Sequence, residues 1–203
     1  MTGKSFYNAK AGVHLRSLNK EDMELLKRHG NTRQMVLELE GIAARNLEFL
    51  SHCARLEELV IYGGKVEDYS ALGKLENLRC LFMNGHLRRW LDSFDFLSGV
   101  VSLEKLQIMH YPMVATFPNL ENCAKLEMVE IFGCMRLKDI SNMARIRNLK
   151  SVLIGDAPIT VSDVEFLAPK QGMAALNASF GNKKMDHEFM EMITRYGIKR
   201  WLG

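Results

Sequence analysis

Six-residue segments with apolar side chains at their first, fourth and sixth positions recur along this chain at nearly constant intervals. They read LEELVI (56–61), LRCLFM (78–83), LEKLQI (103–108), LEMVEI (126–131) and LKSVLI (149–154), with starts 22, 25, 23 and 23 residues apart. The register extends outward to QMVLEL (34–39) and MAALNA (173–178), and in weaker form to GVHLRS (12–17) and RYGIKR (195–200). A fixed period of roughly 20 to 50 residues is the signature of a stacked-repeat architecture. Alternation of apolar positions within each copy is that of a strand with one buried face. One such strand cannot bury its own apolar side, so neighbouring copies must stack into a continuous core.

The second halves of the units agree. VEDYSALGKLENL (66–78) and LKDISNMARIRNL (137–149) carry apolar residues three to four apart and return the chain to the next strand. These segments resemble the leucine-rich repeat family, whose unit is L-x-x-L-x-L-x-x-N/C-x-L over roughly 20 to 29 residues. The resemblance covers nearly the whole chain, and the short spacing is similar to the internalin and phosphatase-regulator branch. It implies an α/β fold: a solenoid with a curved parallel sheet on its concave side and short helical or 3-10 turns on its convex side, units this short leaving little room for long α-helices. A single domain over 1–203 is expected, with an N-terminal cap at 1–31, about seven repeats over 32–181 and a C-terminal cap at 182–203. SLNKEDMELLKRHG (17–30) reads as a capping helix with Asn19 as N-cap and acidic Glu21 and Asp22 in its first turn. MDHEFMEMITRYG (185–197) reads the same way, with Asp186 as N-cap, Phe189, Ile193 and Tyr196 on one face and Gly197 as the stop. The ninth position, usually Asn in the family, holds Gly64, His86, Tyr111, Cys134, Ala157 and Gly181. Only Cys134 fits, which predicts turns less regular than a continuous asparagine ladder gives.

With positions one, four and six inside, positions three, five and seven line the concave face. The fifth-position column is then Glu38, Val60, Phe82, Gln107, Glu130, Leu153 and Asn177, and the seventh is Glu40, Tyr62, Asn84, Met109, Phe132, Gly155 and Ser179. Val60, Tyr62, Phe82, Met109, Phe132 and Leu153 form a broken apolar patch near the middle of the array, the composition expected of a binding surface with aromatic anchors in a polar rim. The acidic residues Glu38, Glu40, Glu58 and Glu130 suggest basic groups on the partner. The 25-residue unit exceeds its predecessor by three, and its surplus falls at Arg88, Arg89 and Trp90, a loop position that adds a second expected contact.

Chemistry finds little support. The six histidines are dispersed with no H-E-x-x-H, and the four cysteines form no C-x-x-C pair, so neither a metal nor a cofactor is expected. IYGGK (61–65) lacks the spacing of a phosphate loop. Cys80, a third-position residue between Glu58 and Lys105, is the nucleophile that a catalytic alternative would use. A net charge of +3 with no run of five basic residues argues against nucleic acid as the main partner. No segment approaches 18 uninterrupted apolar residues, and MTGKSFYNAKAG at the start lacks the apolar stretch of a secretory signal. The expectation is a cytoplasmic, monomeric, non-catalytic module that binds another protein on its concave face, as an inhibitor, adaptor or toxin-immunity protein. Self-assembly through the apolar patch is the alternative.

Overall fold

The computed structural model describes residues 4–86 and 90–200. A ten-stranded sheet runs the length of the molecule. Its strands are β1 (Phe6–Asn8), β2 (Gly12–Leu15), β3 (Gln34–Glu38), β5 (Glu58–Tyr62), β7 (Cys80–Asn84), β8 (Lys105–Met109), β9 (Met128–Phe132), β10 (Ser151–Gly155), β11 (Ala175–Ala178) and β12 (Lys199–Arg200). They lie in that order; β1 and β2 pair antiparallel and every later pair is parallel. Two further strands, β4 (Ala43–Asn46) and β6 (Lys65–Asp68), pair with each other on the way to the convex side.

The apolar register explains this order. Leu59 and Ile61, Leu81 and Met83, Leu106 and Ile108, Val129 and Ile131, and Val152 and Ile154 are buried, as are the first-position residues Leu56, Leu78, Leu103, Leu126 and Leu149. Each lies beside its counterpart in the next repeat, because the strands pair with no stagger from β5 to β11. Aliphatic residues thus stack in layers beneath the sheet, and the aromatic residues Phe94, Tyr111 and Phe117 join them in one buried core.

At the N-terminal end the register differs from the sequence expectation. Gln34 pairs with Glu58, and Glu38 with Tyr62, so the repeat before β5 begins at Thr32, not Gln34. Glu38 therefore stands in the seventh column, Val36 takes its place in the fifth, and Glu40 lies beyond the strand. A slip of two residues keeps every side chain on its own face, so the burial pattern cannot detect it; a slip of one would have exposed Met35 and Leu37.

The convex side is made of short 3-10 turns at Glu48–His52, Ser70–Lys74, Asp95–Gly99 and Ser141–Arg145, with a five-residue helix α2 (Val161–Glu165) in a later repeat. A side-chain ladder absent from the sequence reading organises this layer. Asn46, Asp68, Ser93, Asn119 and Asp139 each accept the backbone N–H two residues on, at 3.1, 2.7, 3.0, 3.2 and 2.9 Å. These turns satisfy N–H groups that begin each convex segment. Each of these bonds stays within its own repeat; neighbouring repeats are tied instead by Asn77 Nδ2, which donates to the Ala54 carbonyl at 2.8 Å, and by Asn148 Nδ2, which donates to the Ala124 carbonyl at 2.6 Å.

Both expected cap helices form, but as convex elements of the terminal units with the sheet continuing past each. α1 (Lys20–Arg28) connects β2 to β3, and α3 (Lys183–Arg195) connects β11 to β12. Asn19 caps α1 by a reciprocal box: its Oδ1 accepts from Asp22 N at 3.0 Å and Asp22 Oδ2 accepts from Asn19 N at 3.3 Å. α3 starts earlier than expected: Asn182, not Asp186, is its N-cap, accepting from Lys184 N at 2.9 Å. Asp186 instead receives the Phe180 N–H at 3.3 Å. Phe189 and Ile193 are buried with Met192, whereas Tyr196 is exposed.

Candidate functional site: the concave sheet face

Seven parallel strands present their odd positions to the concave side. Val60, Tyr62, Phe82, Met109, Phe132 and Leu153 are all half-buried there. The Tyr62 ring meets Phe82 edge-on at 5.5 Å and His86 edge-on at 5.9 Å. Phe132 leans the other way, over Gly155: a Cβ on residue 155 would lie 2.5 Å from its Cε1. The apolar surface is therefore divided, with Val60, Tyr62 and Phe82 on one side and Phe132 and Leu153 on the other.

Polar residues fill the division. Glu130 is buried; its carboxylate accepts from Gln107 Nε2 and is 3.0 Å from Lys105 Nζ. This departs from the expectation of an acid open to a partner, because the flanking strand β8 supplies both a cation and an amide donor. The other acids are engaged as well. Glu38 holds Arg16 Nε at 2.8 Å and lies 2.9 Å from His14 Nε2; Glu58 accepts from Gln34 Nε2 at 3.0 Å. Glu40 is 4.0 Å from His86 Nδ1. Arg16 and Lys105 are the cations that balance Glu38 and Glu130, and Gln34 gives Glu58 a hydrogen bond without balancing its charge; each partner lies about one repeat from its acid, so the pairing follows from strand register.

At the N-terminal side of the patch a cleft of about 450 Å³ is lined by Arg16, Glu38, Glu40, Tyr62, Asn84 and His86. Asn84 and His86 stand where β7 ends in a tight turn: Asn84 Oδ1 accepts the His86 N–H at 3.0 Å, and His86 has φ of 50°. Trp90 is exposed. Arg88 and Arg89 lie outside the described residues.

Cys80 sits between Glu58 and Lys105 as its position implied. Burial first, and the Glu58 carboxylate second, push its thiol above the ordinary cysteine value, opposite to the shift that activates a nucleophile. His110 is five residues beyond Lys105, or about 16 Å along the strand, and its Nδ1 is 3.1 Å from Asn84 Oδ1. All four cysteines are free, and burial raises the thiols of Cys53, Cys123 and Cys134 to about 11. Among the described residues no three His, Cys, Asp or Glu side chains come together as a metal site, and no helix is long and apolar enough to cross a membrane.

Neither a protein-family model nor a curated protein matches the sequence. Solved structures do match. The plant peptide hormone receptor RGFR1, in complex with RGF2, superposes with a TM-score of 0.55 at 11% identity, over 88% of this chain and 33% of the receptor. An internalin C2 from Listeria monocytogenes gives 0.46 at 15% identity, over 83% of this chain and 78% of that one. The leucine-rich repeat domain of the type III effector XCV3220 (XopL) gives 0.44 at 14%, over 83% and 50%. This chain spans a third of the receptor's length, and at 11% identity the likeness to the receptor carries the fold alone. Stacked L-x-x-L-x-L strands in unstaggered parallel register decide the matter. The chain is a leucine-rich repeat solenoid. Its leucine-rich repeats hold the concave side chains on a parallel sheet whose backbone hydrogen bonds fix their spacing.

Proposed function

We propose that this leucine-rich repeat solenoid is a non-catalytic binding module that captures a partner protein on its concave face. The observation that carries the reading is the gathering of half-buried Val60, Tyr62, Phe82, Met109, Phe132 and Leu153 on adjacent strands of one surface. Rigid strands place these side chains at spacings fixed by the sheet, so little ordering entropy opposes association. Large aromatic side chains in a polar surround are the residues from which binding energy is usually drawn. With Glu38, Glu58 and Glu130 engaged within the sheet, the partner is met through apolar contact in preference to a basic surface.

The experiment compares partner recovery by the wild-type chain, by a Tyr62→Ala, Phe82→Ala, Phe132→Ala variant, and by a convex control, Lys74→Ala with Arg145→Ala. The concave variant should lose the partners that the other two recover, with unchanged circular dichroism. Equal recovery by all three sinks the concave reading. Mass measurement in dilute solution separates the alternative of self-assembly, for which the same concave variant would shift a dimer to monomer.

A further inference from the structure

Three adjacent strands contribute two rows of side chains to one block of the concave face. Glu58, Cys80 and Lys105 stand side by side on β5, β7 and β8, and Val60, Phe82 and Gln107 form the row two residues further along. Cys80 is the smallest of the six, and the block holds a recess of about 110 Å³ bounded by these residues. Its walls differ in chemistry. Val60 and Phe82 present half-buried apolar surface, whereas Glu58 at one side is exposed.

The cations around the recess each have an acid of their own. Lys105 Nζ is 3.0 Å from Glu130 Oε1 on β9, so it leans away from Glu58, whose strand lies two places off in the other direction, about 9.5 Å between backbones. Arg79 donates twice to Glu104, at 2.9 and 2.7 Å, and Arg33 lies 3.4 Å from Glu57. Lys10 borders a wider cleft beside Glu57 and Glu58 and makes no ion pair with either. Glu58 itself accepts from Gln34 Nε2 at 3.0 Å. A neutral amide leaves the carboxylate's charge in place, and among the described residues no Lys, Arg or His is within ion-pair distance of it.

We propose that this recess takes one basic side chain of the partner, a Lys or Arg whose apolar stem lies against Val60 and Phe82 and whose cationic head rests on the Glu58 carboxylate. These are the side chains that cover apolar surface with a methylene stem while holding a charge at its end. An apolar side chain in the same place would strip water from Glu58 without replacing its hydrogen bonds, and an acidic one would meet like charge. The volume admits a single side chain, so the match is to one residue and not to a basic surface. The pocket rests on the concave binding reading and adds to its apolar anchors the charge of one residue beside them.

The test selects linear decapeptides in parallel on the wild-type chain and on Glu58→Gln from one randomised display library. Gln at position 58 keeps the length and the acceptor for Gln34 and removes only the charge. Peptides selected on the wild type should carry a Lys or Arg beside apolar residues, an excess missing from the Glu58→Gln set. They should bind Glu58→Gln about fivefold more weakly, the effect of one partly exposed ion pair, and added salt should weaken binding to the wild type more than to Glu58→Gln. Norleucine in place of the basic residue keeps the stem; it should cost binding to the wild type and leave binding to Glu58→Gln unchanged. Glu in its place should lose the wild type and recover binding to Glu58→Lys. Equal Lys and Arg content in the two sets, equal binding to wild type and Glu58→Gln, a norleucine loss of the same size on both, or a failure to select any peptide overturns the pocket. So does a dimer of this chain that Glu58→Lys dissociates, since a second copy then fills the recess. In those cases loss of binding in Phe82→Ala, or of partners in the triple variant, leaves the concave reading standing; peptides and partners indifferent to both sink that reading as well.

Discussion

Gly155→Ala separates the concave surface from the fold beneath it. Residue 155 ends β10, and its φ is outside the left-handed region, so alanine meets no backbone penalty there. The added methyl would lie 2.5 Å from Phe132 Cε1 and 2.7 Å from Cδ1. Carbon atoms rest at about 3.5–4.0 Å, so the Phe132 ring must retreat by about 1 Å or more. Turning a side chain that far from its preferred rotamer costs about 0.5–1.5 kcal/mol, while replacing glycine in a strand recovers about 0.5–1 kcal/mol. The net change is within about 1 kcal/mol, a shift in Tm of about 2–4 °C at most for a chain of this size. Gly64→Ala is the contrast. Its φ is +80° and the new methyl would meet Leu39 Cβ, a core atom, at 2.6 Å; the left-handed penalty of about 1–2 kcal/mol and overpacking of about 1–3 kcal/mol add to roughly 2–5 kcal/mol. Thermal unfolding by circular dichroism reads both variants, and aromatic NMR reads whether the Phe132 ring moved. Gly155→Ala as damaging as Gly64→Ala, or Phe132 resonances left in place, would refute the reasoning, because something other than a mobile ring would then occupy the space.

Leu106→Ala, at a fully buried position of central β8, should cost about 2–5 kcal/mol, measured by urea unfolding; a smaller loss would mean the repeat layers close over the gap. The Asp139 carboxyl is held below its ordinary 3.8 by the Ser141 hydroxyl and backbone N–H. A lowered folded pKa stabilises above the ordinary value and is lost as pH falls through the folded one, so Tm should fall with acid below about pH 4, and Asp139→Asn, which retains the acceptor, should flatten that slope. Native thiol labelling followed by mass spectrometry should mark Cys80 first and slowly, since Cys53, Cys123 and Cys134 are buried; labelling of a second cysteine at the same rate would show that the core opens locally.

The repeat itself was legible because a buried face imposes its period on the sequence whatever fills the rest. Leu81 and Met83 inward with Phe82 outward follows from alternation alone, and so does the concave placement of Tyr62, Met109 and Phe132. The helix α1 was legible to its cap, since Asn19 and Asp22 satisfy each other within three residues. Where bonding is not local, the sequence misleads. Asp186 has the residue type of an N-cap, yet Asn182 takes the role because the chain entering α3 turns earlier. The convex ladder of Asn46, Asp68, Ser93, Asn119 and Asp139 has no fixed period, its members being 22, 25, 26 and 20 residues apart: a side chain that bonds two residues ahead tolerates drift in the repeat length, and a core position does not.

The sequence by itself determined that this chain stacks short apolar strands and returns between them by compact turns, because burying one face of a strand leaves no other solution at this spacing. It also determined which side chains leave the core. Only the tertiary structure decided what those side chains meet. A two-residue slip in register is silent in the burial pattern, yet it moves Glu38 from beside Val60 to beside Tyr62; and Glu130, an acid on an outward position, lies buried where Lys105 and Gln107 reach it from the neighbouring strand. Period is a property of one strand, whereas charge compensation and the orientation of an amide belong to pairs of strands, and the pairing is made only when the solenoid closes.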